Sequence, residues 1–214
     1  MSIEFLGLRP NLNSFIEITH LIARQRATKK SSAIEVFILA GGRSSRMGRD
    51  KSRLRLGRRT LCGHVRALAH QLGYPARTIR HDLISPCGPL GGIYTALSTS
   101  DAKSVLFLSN DMPFVSVNLL RRLTARFKPG VKSLFVTDAG FVGFPFLLSR
   151  SVLPAVARQI ADERYSLQEL AKALDAQVFR VTSRFAAELL NINTPADWAV
   201  ARLHWRMLTR KNRG

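Results

Sequence analysis

The sequence predicts an α/β fold: a doubly wound, mostly parallel sheet with helices on both faces. Three observations predict it. Short apolar runs rich in β-branched and aromatic residues, such as 33–40 and 103–109, read as buried strands. Segments of ten or more residues with helical periodicity lie between the runs. The glycines, arginines and aspartates that could do chemistry fall just past strand ends, where ligands bind in such sheets.

In chain order, AIEVFILA (33–40) is a strand bounded by Gly41-Gly42. TLCGHVRALAHQLG is a helix with Leu61, Val65, Leu68 and Leu72 on one face and Gly73 as its stop. ARTIRH is a short strand, and GPLGGIYTALSTS a loop leading into a helix. KSVLFLS is a second strong strand, broken by Asn110-Asp111-Met112-Pro113. Ser116 caps a helix over VNLLRRLTARF. VKSLFV and FPFLLS are strands separated by the turn Asp138-Ala139-Gly140. Ser166 and Glu169 stand in capping-box spacing before SLQELAKAL, and AQVFRV is a further strand. Thr194, Pro195 and Asp197 open a last helix as cap, first helical residue and cap partner. Ahead of all this, Phe15, Ile18 and Ile22 share one helical face, and RATKKSS is a polar linker. Residues 1–34 therefore read as an N-terminal extension and linker.

The 214 residues carry 33 Lys+Arg against 14 Asp+Glu, a net charge of +19, and 46% are apolar, which argues against disorder. No run nears 18 apolar residues and no secretory pattern opens the chain, so neither a membrane span nor export is expected. Cys62 and Cys87 stand in no metal or redox spacing, and the expected location is the cytoplasm. On charge alone, nucleic acid or a phosphate-rich small molecule leads the partner classes. The charge is uneven, however: residues 43–59 hold eight basic side chains and only Asp50. Residues 202–214 add five basic residues and no acid, and read as a loose basic C-terminal tail. The interrupted run at 43–59 follows a strand and reads as a site for one triphosphate, so nucleic acid is not the expected partner.

That run begins with Leu39-Ala40-Gly41-Gly42 and continues through Arg46 and Lys51. Paired glycines let the backbone approach a ligand, and consecutive N–H groups can surround phosphate oxygens. Arg46 and Lys51 would neutralise a polyphosphate. The spacing matches neither G-x-x-x-x-G-K-[ST] nor G-x-G-x-x-G. Asp111, just past a strand, is placed as a Mg²⁺ ligand, because that ion takes one or two carboxylates plus substrate phosphates. Asp82 precedes Gly88-Pro89-Leu90-Gly91-Gly92, which leads into a helix N-terminus, a natural anion site. Asn191 and Asn193 alternate along an extended segment and present both amides on one face. Each has a plainer reading as loop, turn or cap chemistry.

LAGGRSSRMGRDKSRLRLGRRTL resembles the nucleotide-binding signature of the molybdenum cofactor guanylyltransferases, within the wider nucleoside triphosphate transferases of Rossmann-like fold. The resemblance continues through CGPLGGIYTAL, FLSNDMPFV and LLNINTPADW, over roughly 35–201, which would be the nucleotidyltransferase domain. It implies the nucleotide-diphospho-sugar transferase type of sheet, GTP and molybdopterin (the molybdenum cofactor) as substrates, and Mg²⁺ as cofactor. Molybdoenzymes or cofactor-insertion proteins would be the protein partners. It implies that Lys51, Arg46 and Asp111 are catalytic, and that Leu39, Ala40, Gly41, Gly42, Lys51, Asp82 and Asp111 bind nucleotide. Asp111 would hold the metal, and Asn191 and Asn193 would border the second substrate.

The implied reaction is attack of the molybdopterin phosphate on the α-phosphorus of GTP, releasing pyrophosphate. A phosphate monoester has a second pKa of about 6 and needs no general base, which agrees with five histidines in no ligand or triad spacing. The chain departs from the family between Gly73 and Gly88, where members have a longer stretch with an additional strand and a polar loop. Nine residues separate the first helix from Asp82, too few for that unit, so the sheet is expected to lack one strand. Gly143-Phe144-Pro145-Phe146 also stands where many members have His-Pro. A sibling nucleotidyltransferase of cytidylyl or sugar-phosphate type stays open as an alternative. So does a truncated, non-catalytic paralogue that binds nucleotide or nucleic acid.

Overall fold

The computed structural model describes residues 33–40, 54–85 and 87–211, with only the backbone of residues 183, 184 and 211. The expectations on residues 1–32, on Gly41, Gly42, Arg46 and Lys51, and on the last three residues lie outside the described residues.

The strand Ile34–Leu39 (β1) has five of its six residues buried, as a run apolar on both faces requires in a covered parallel sheet. A two-residue hairpin follows, Arg55–Leu56 (β2) and Arg59–Thr60 (β3), turning at Gly57 with φ +60°. These residues belong to the basic run 43–59, which reads in the sequence as a phosphate-binding loop. The hairpin removes 55–59 from that loop, because Leu56 is fully buried and fixes the register.

Thr60 then caps the helix Leu61–Leu72 (α1) by accepting from the Gly63 N–H at 3.0 Å, and Gly73 ends it at φ +76°. Ala76–Ile79 (β4) pairs parallel with β1 and forms the sheet edge. A single strand thus stands between α1 and the Gly88 loop, as the shortened sequence there predicts. Arg77 fastens this edge inward, with Nε donating to Glu35 Oε1 at 2.7 Å and the guanidinium 4.5 Å from the Phe37 ring.

Next come the helix Pro89–Thr99 (α2), the strand Ser104–Ser109 (β5) and the helix Val117–Arg126 (α3). Ser133–Asp138 (β6) and Phe141–Ser149 (β7) form an antiparallel hairpin through the predicted turn. The helices Leu153–Ala161 (α4) and Leu167–Ala173 (α5), the strand Gln177–Arg180 (β8), the short helix Ser183–Ala186 (α6) and the long helix Pro195–Lys211 (α7) complete the order.

The six main strands run β4-β1-β5-β7-β6-β8. β7 is antiparallel to both neighbours and the other pairings are parallel, so the sheet is mixed, mostly parallel, and covered on both faces. One core layer stacks Phe107, Phe146 and Phe135 with ring centroids 4.8 and 4.7 Å apart, under α2, α4 and α5. The opposite layer packs Val36, Ile38, Leu106, Leu108 and Leu147 against α1 and α3. Burial of this kind contributes roughly 1.5–3 kcal/mol for each large side chain.

A third, smaller cluster corrects the reading of the chain's end. Leu54, Leu56 and Leu61 pack with Ile192, Ala201, Trp198 and Trp205. Residues 202–211 are therefore the second half of α7, with Trp205 in the cluster, and not a loose tail. The tryptophan supplies the anchor that the basic composition hid.

Candidate functional site

β1, β4 and β5 end side by side at the carboxyl edge of the sheet. The Ala40 N–H donates to Ile79 O at 2.9 Å, and the Asn110 N–H to Leu39 O at 3.2 Å. Leu39 and Ala40 thus leave the sheet between the segment carrying Asp82 and the segment carrying Asp111. With adjacent strands about 4.8 Å apart, the segments after β4 and β5 flank the end of β1 at a separation of about 10 Å.

Asp82 is positioned by the first turn of α2. Gly88, at φ +62°, turns the chain into the helix, and Pro89 opens it. A Cβ on Gly91 would stand 2.9 Å from Asp82 Cγ, and one on Gly92 would stand 3.1 Å from Leu39 Cδ2. The two glycines therefore permit the approach of Asp82 and of the end of β1 to the helix. Thr95 secures the arrangement: its hydroxyl accepts from the Leu83 N–H at 2.9 Å and donates to Gly91 O at 2.8 Å. The Asp82 carboxylate thus lies against the first turn of the helix whose N-terminus reads as an anion site. Burial raises the Asp82 pKa above the ordinary value, and the charge of His81 partly opposes the shift. Cys87, buried next to this loop, is pushed up to about 11, by desolvation first and the Asp82 charge second.

Asp111 ends the turn after β5. The Ser109 hydroxyl donates to its Oδ1, and its main-chain carbonyl accepts from the Ile192 N–H at 3.0 Å. That second bond draws the Asn191–Asn193 segment to the same edge. Ile192 is fully buried between the two asparagines, of which Asn191 is exposed and Asn193 half-buried. Asn193 is also a capping residue: its N–H and that of Thr194 both donate to Asp197 Oδ2, at 2.9 and 2.8 Å. The Asp197 N–H in turn donates to Thr194 Oγ1 at 3.2 Å, completing the predicted cap.

Asn191 lines a cleft of about 470 Å³ together with Asp138, Leu190, His204 and Met207. Sequence reasoning did not place Asp138 or His204 there. Asp138 reads only as a hairpin turn and His204 only as a helix residue, and no local signal joins them. Thr95 was missed for the same reason, since its role depends on a loop twelve residues earlier. Glu188 was missed too, and its Oε2 accepts from the Ser116 N–H at 2.9 Å at the start of α3.

A metal at this edge can be tested against donor chemistry. Among the described residues, no group of three or more His, Cys, Asp or Glu could hold an ion. The Asp111 carboxylate fits a hard cation that completes its shell with phosphate oxygens, and does not fit a closed structural site. Among the described residues, no helix is long and apolar enough to cross a membrane.

A mixed, mostly parallel sheet covered on both faces, with Asp82, Gly88 and Asp111 in turns at its carboxyl edge, defines an open α/β protein of the Rossmann type. The chain belongs to the MobA-like NTP transferase domain family, whose profile matches residues 36–178. It is 32% identical over 174 residues to a molybdenum cofactor guanylyltransferase of Xanthomonas euvesicatoria, covering 76% of this chain and 90% of that one. Its fold is similar to that of the molybdopterin-guanine dinucleotide biosynthesis protein A of Archaeoglobus fulgidus, with a TM-score of 0.64 at 21% identity over 78% of this chain and 96% of that one. A Mycobacterium tuberculosis protein solved in complex with manganese shares the fold, with a TM-score of 0.56 at 19% identity over 79% and 97% of the two chains.

Proposed function

We propose that this nucleotidyltransferase carries GMP from GTP to the phosphate of molybdopterin, yielding the guanine dinucleotide and pyrophosphate. The observation that carries the reading is the bond between the Ile192 N–H and the Asp111 carbonyl oxygen. It brings Asp111, whose carboxylate would hold the metal, beside the asparagine segment that would border the acceptor, so both substrates would approach one sheet edge.

In this reading the backbone after Leu39-Ala40, through Gly41 and Gly42, receives the triphosphate, and Arg46 and Lys51 neutralise the departing pyrophosphate. Asp82, held on α2, contacts the nucleotide from the β4 side. Asp111 holds Mg²⁺, which when bound would polarise the α-phosphate and stabilise charge on the leaving group. Asn191 and Asn193 orient the pterin through amide donors and acceptors. The acceptor phosphate is already ionised at neutral pH, so the chain supplies alignment and not proton abstraction.

The test is a thermal-shift panel of GTP, CTP, ATP and UTP with Mg²⁺, followed by complementation of a strain lacking the guanylyltransferase. Selective stabilisation by GTP and restored molybdoenzyme activity are expected. A shift by CTP alone would transfer the chain to the cytidylyl siblings, and no shift with any nucleotide would overturn the enzymatic reading.

A further inference from the structure

The two basic segments left over by the nucleotide reading meet on one surface. The β2–β3 hairpin carries Arg58 and Arg59, both exposed, and the second half of α7 carries Arg202, Arg206 and Arg210, exposed and four residues apart along one side. What joins hairpin and helix is Trp205. A Cβ on Gly57 would stand 2.9 Å from its Cζ2, and the His64 ring meets the indole edge-on at 4.9 Å. His64 is itself tied to the hairpin: Nε2 lies 2.8 Å from Leu56 O, and a carbonyl can only accept, so Nε2 carries the proton.

Between the two elements lies an open cleft of about 520 Å³, lined by Arg58, Arg59, His64, Trp205, Thr209 and Arg210. Among the described residues, no carboxylate pairs with any of these three arginines. No acidic residue occurs in 54–60 or after Asp197. The cleft is therefore a cationic groove with an aromatic ring in its lining.

We propose that this groove binds single-stranded nucleic acid, with Arg58, Arg59 and Arg210 on the phosphodiesters and the Trp205 indole against a base. Guanidinium forks match phosphate oxygens, and an aromatic ring in a basic groove takes any unstacked base. Duplex DNA keeps its bases stacked and would offer the indole only backbone. An acidic peptide would satisfy the arginines but leave the ring without a flat partner.

The test is fluorescence anisotropy of a labelled oligothymidylate with the full chain, measured across a salt series. Each of the three arginines should contribute about 0.7 to the slope of log K against log salt, so the Arg58→Ala, Arg59→Ala, Arg210→Ala triple variant should be shallower by about 2. Arg210→Lys should keep most of the affinity. With Trp198→Phe in place, quenching of the remaining tryptophan should track binding. All these side chains are exposed or half-buried, so unchanged melting temperatures serve as the folding check. Unaltered affinity and slope in the triple variant would overturn the proposal. So would equal binding of duplex DNA, equal competition by polyglutamate, or displacement by saturating GTP and Mg²⁺, which would put the strand in the nucleotide site instead.

Discussion

The Asp82 carboxylate rests against Gly91 in the first turn of α2, so close that a Cβ there would lie 2.9 Å from Asp82 Cγ. The glycine and the aspartate are nine residues apart and form one steric unit. Gly91→Ala should therefore destabilise the fold by roughly 1–3 kcal/mol, as overpacking does, despite alanine's better helix propensity. Asp82→Gly should recover most of that loss. Chemical denaturation of the single and double variants reads the coupling, and additive effects would show that the two do not press on each other.

The raised pKa of Asp82 has a definite sign in stability. Because burial disfavours the charged form, the native state binds this proton more readily than the unfolded chain does. The penalty is absent below the unfolded pKa and fully present once pH passes above the folded one. Asp82→Asn should raise the melting temperature at neutral pH and leave it nearly unchanged in acid near the ordinary aspartate pKa. A stabilisation that persisted at low pH would mean that charge is not its cause.

Cys87 is buried, with its thiol pushed up to about 11. At pH 8 only about a thousandth of it is thiolate, and the thiolate is the nucleophile. Native protein should resist iodoacetamide at this position, whereas denatured protein should react at once. Peptide mass mapping after timed alkylation decides it.

Trp205 ties α7 to the β2–β3 hairpin, and Gly57 has both a positive φ and a close contact with the indole. Trp205→Ala should cost about 2–3 kcal/mol, somewhat below a fully buried aromatic because the ring is half-buried. Gly57→Ala should also destabilise, through backbone strain and the indole contact together. Ending the chain after Ala201 should lower stability in urea. A truncated chain as stable as the whole would return residues 202–214 to the status of a loose tail.

Much of this molecule is legible in its sequence. The buried strands around Phe37 and Phe107, the caps at Ser116, Ser166 and Thr194, and the stop at Gly73 are local signals, and the structure shows each of them. The placement of Asp111 past β5 follows from the same logic. What escaped is long-range. Nothing near Arg58 or Arg210 announces that Trp205 brings them together, because the contact spans about 150 residues of chain. Nor does Gly91 announce Asp82 as its neighbour; the glycine reads as part of an anion site and the aspartate as a nucleotide contact, and only the packing brings the two together. The antiparallel entry of β7 between β5 and β6 was hidden for a similar reason, since apolar runs do not state their direction.

In the proposed function Asp111 and Lys51 serve one transfer reaction. The direct measurement is pyrophosphate release and dinucleotide formation by the purified chain with GTP, Mg²⁺ and molybdopterin. Turnover should fall by about a hundredfold or more in both Asp111→Ala and Lys51→Ala, as loss of a charge-stabilising group does. Full transfer activity in both variants would contradict it.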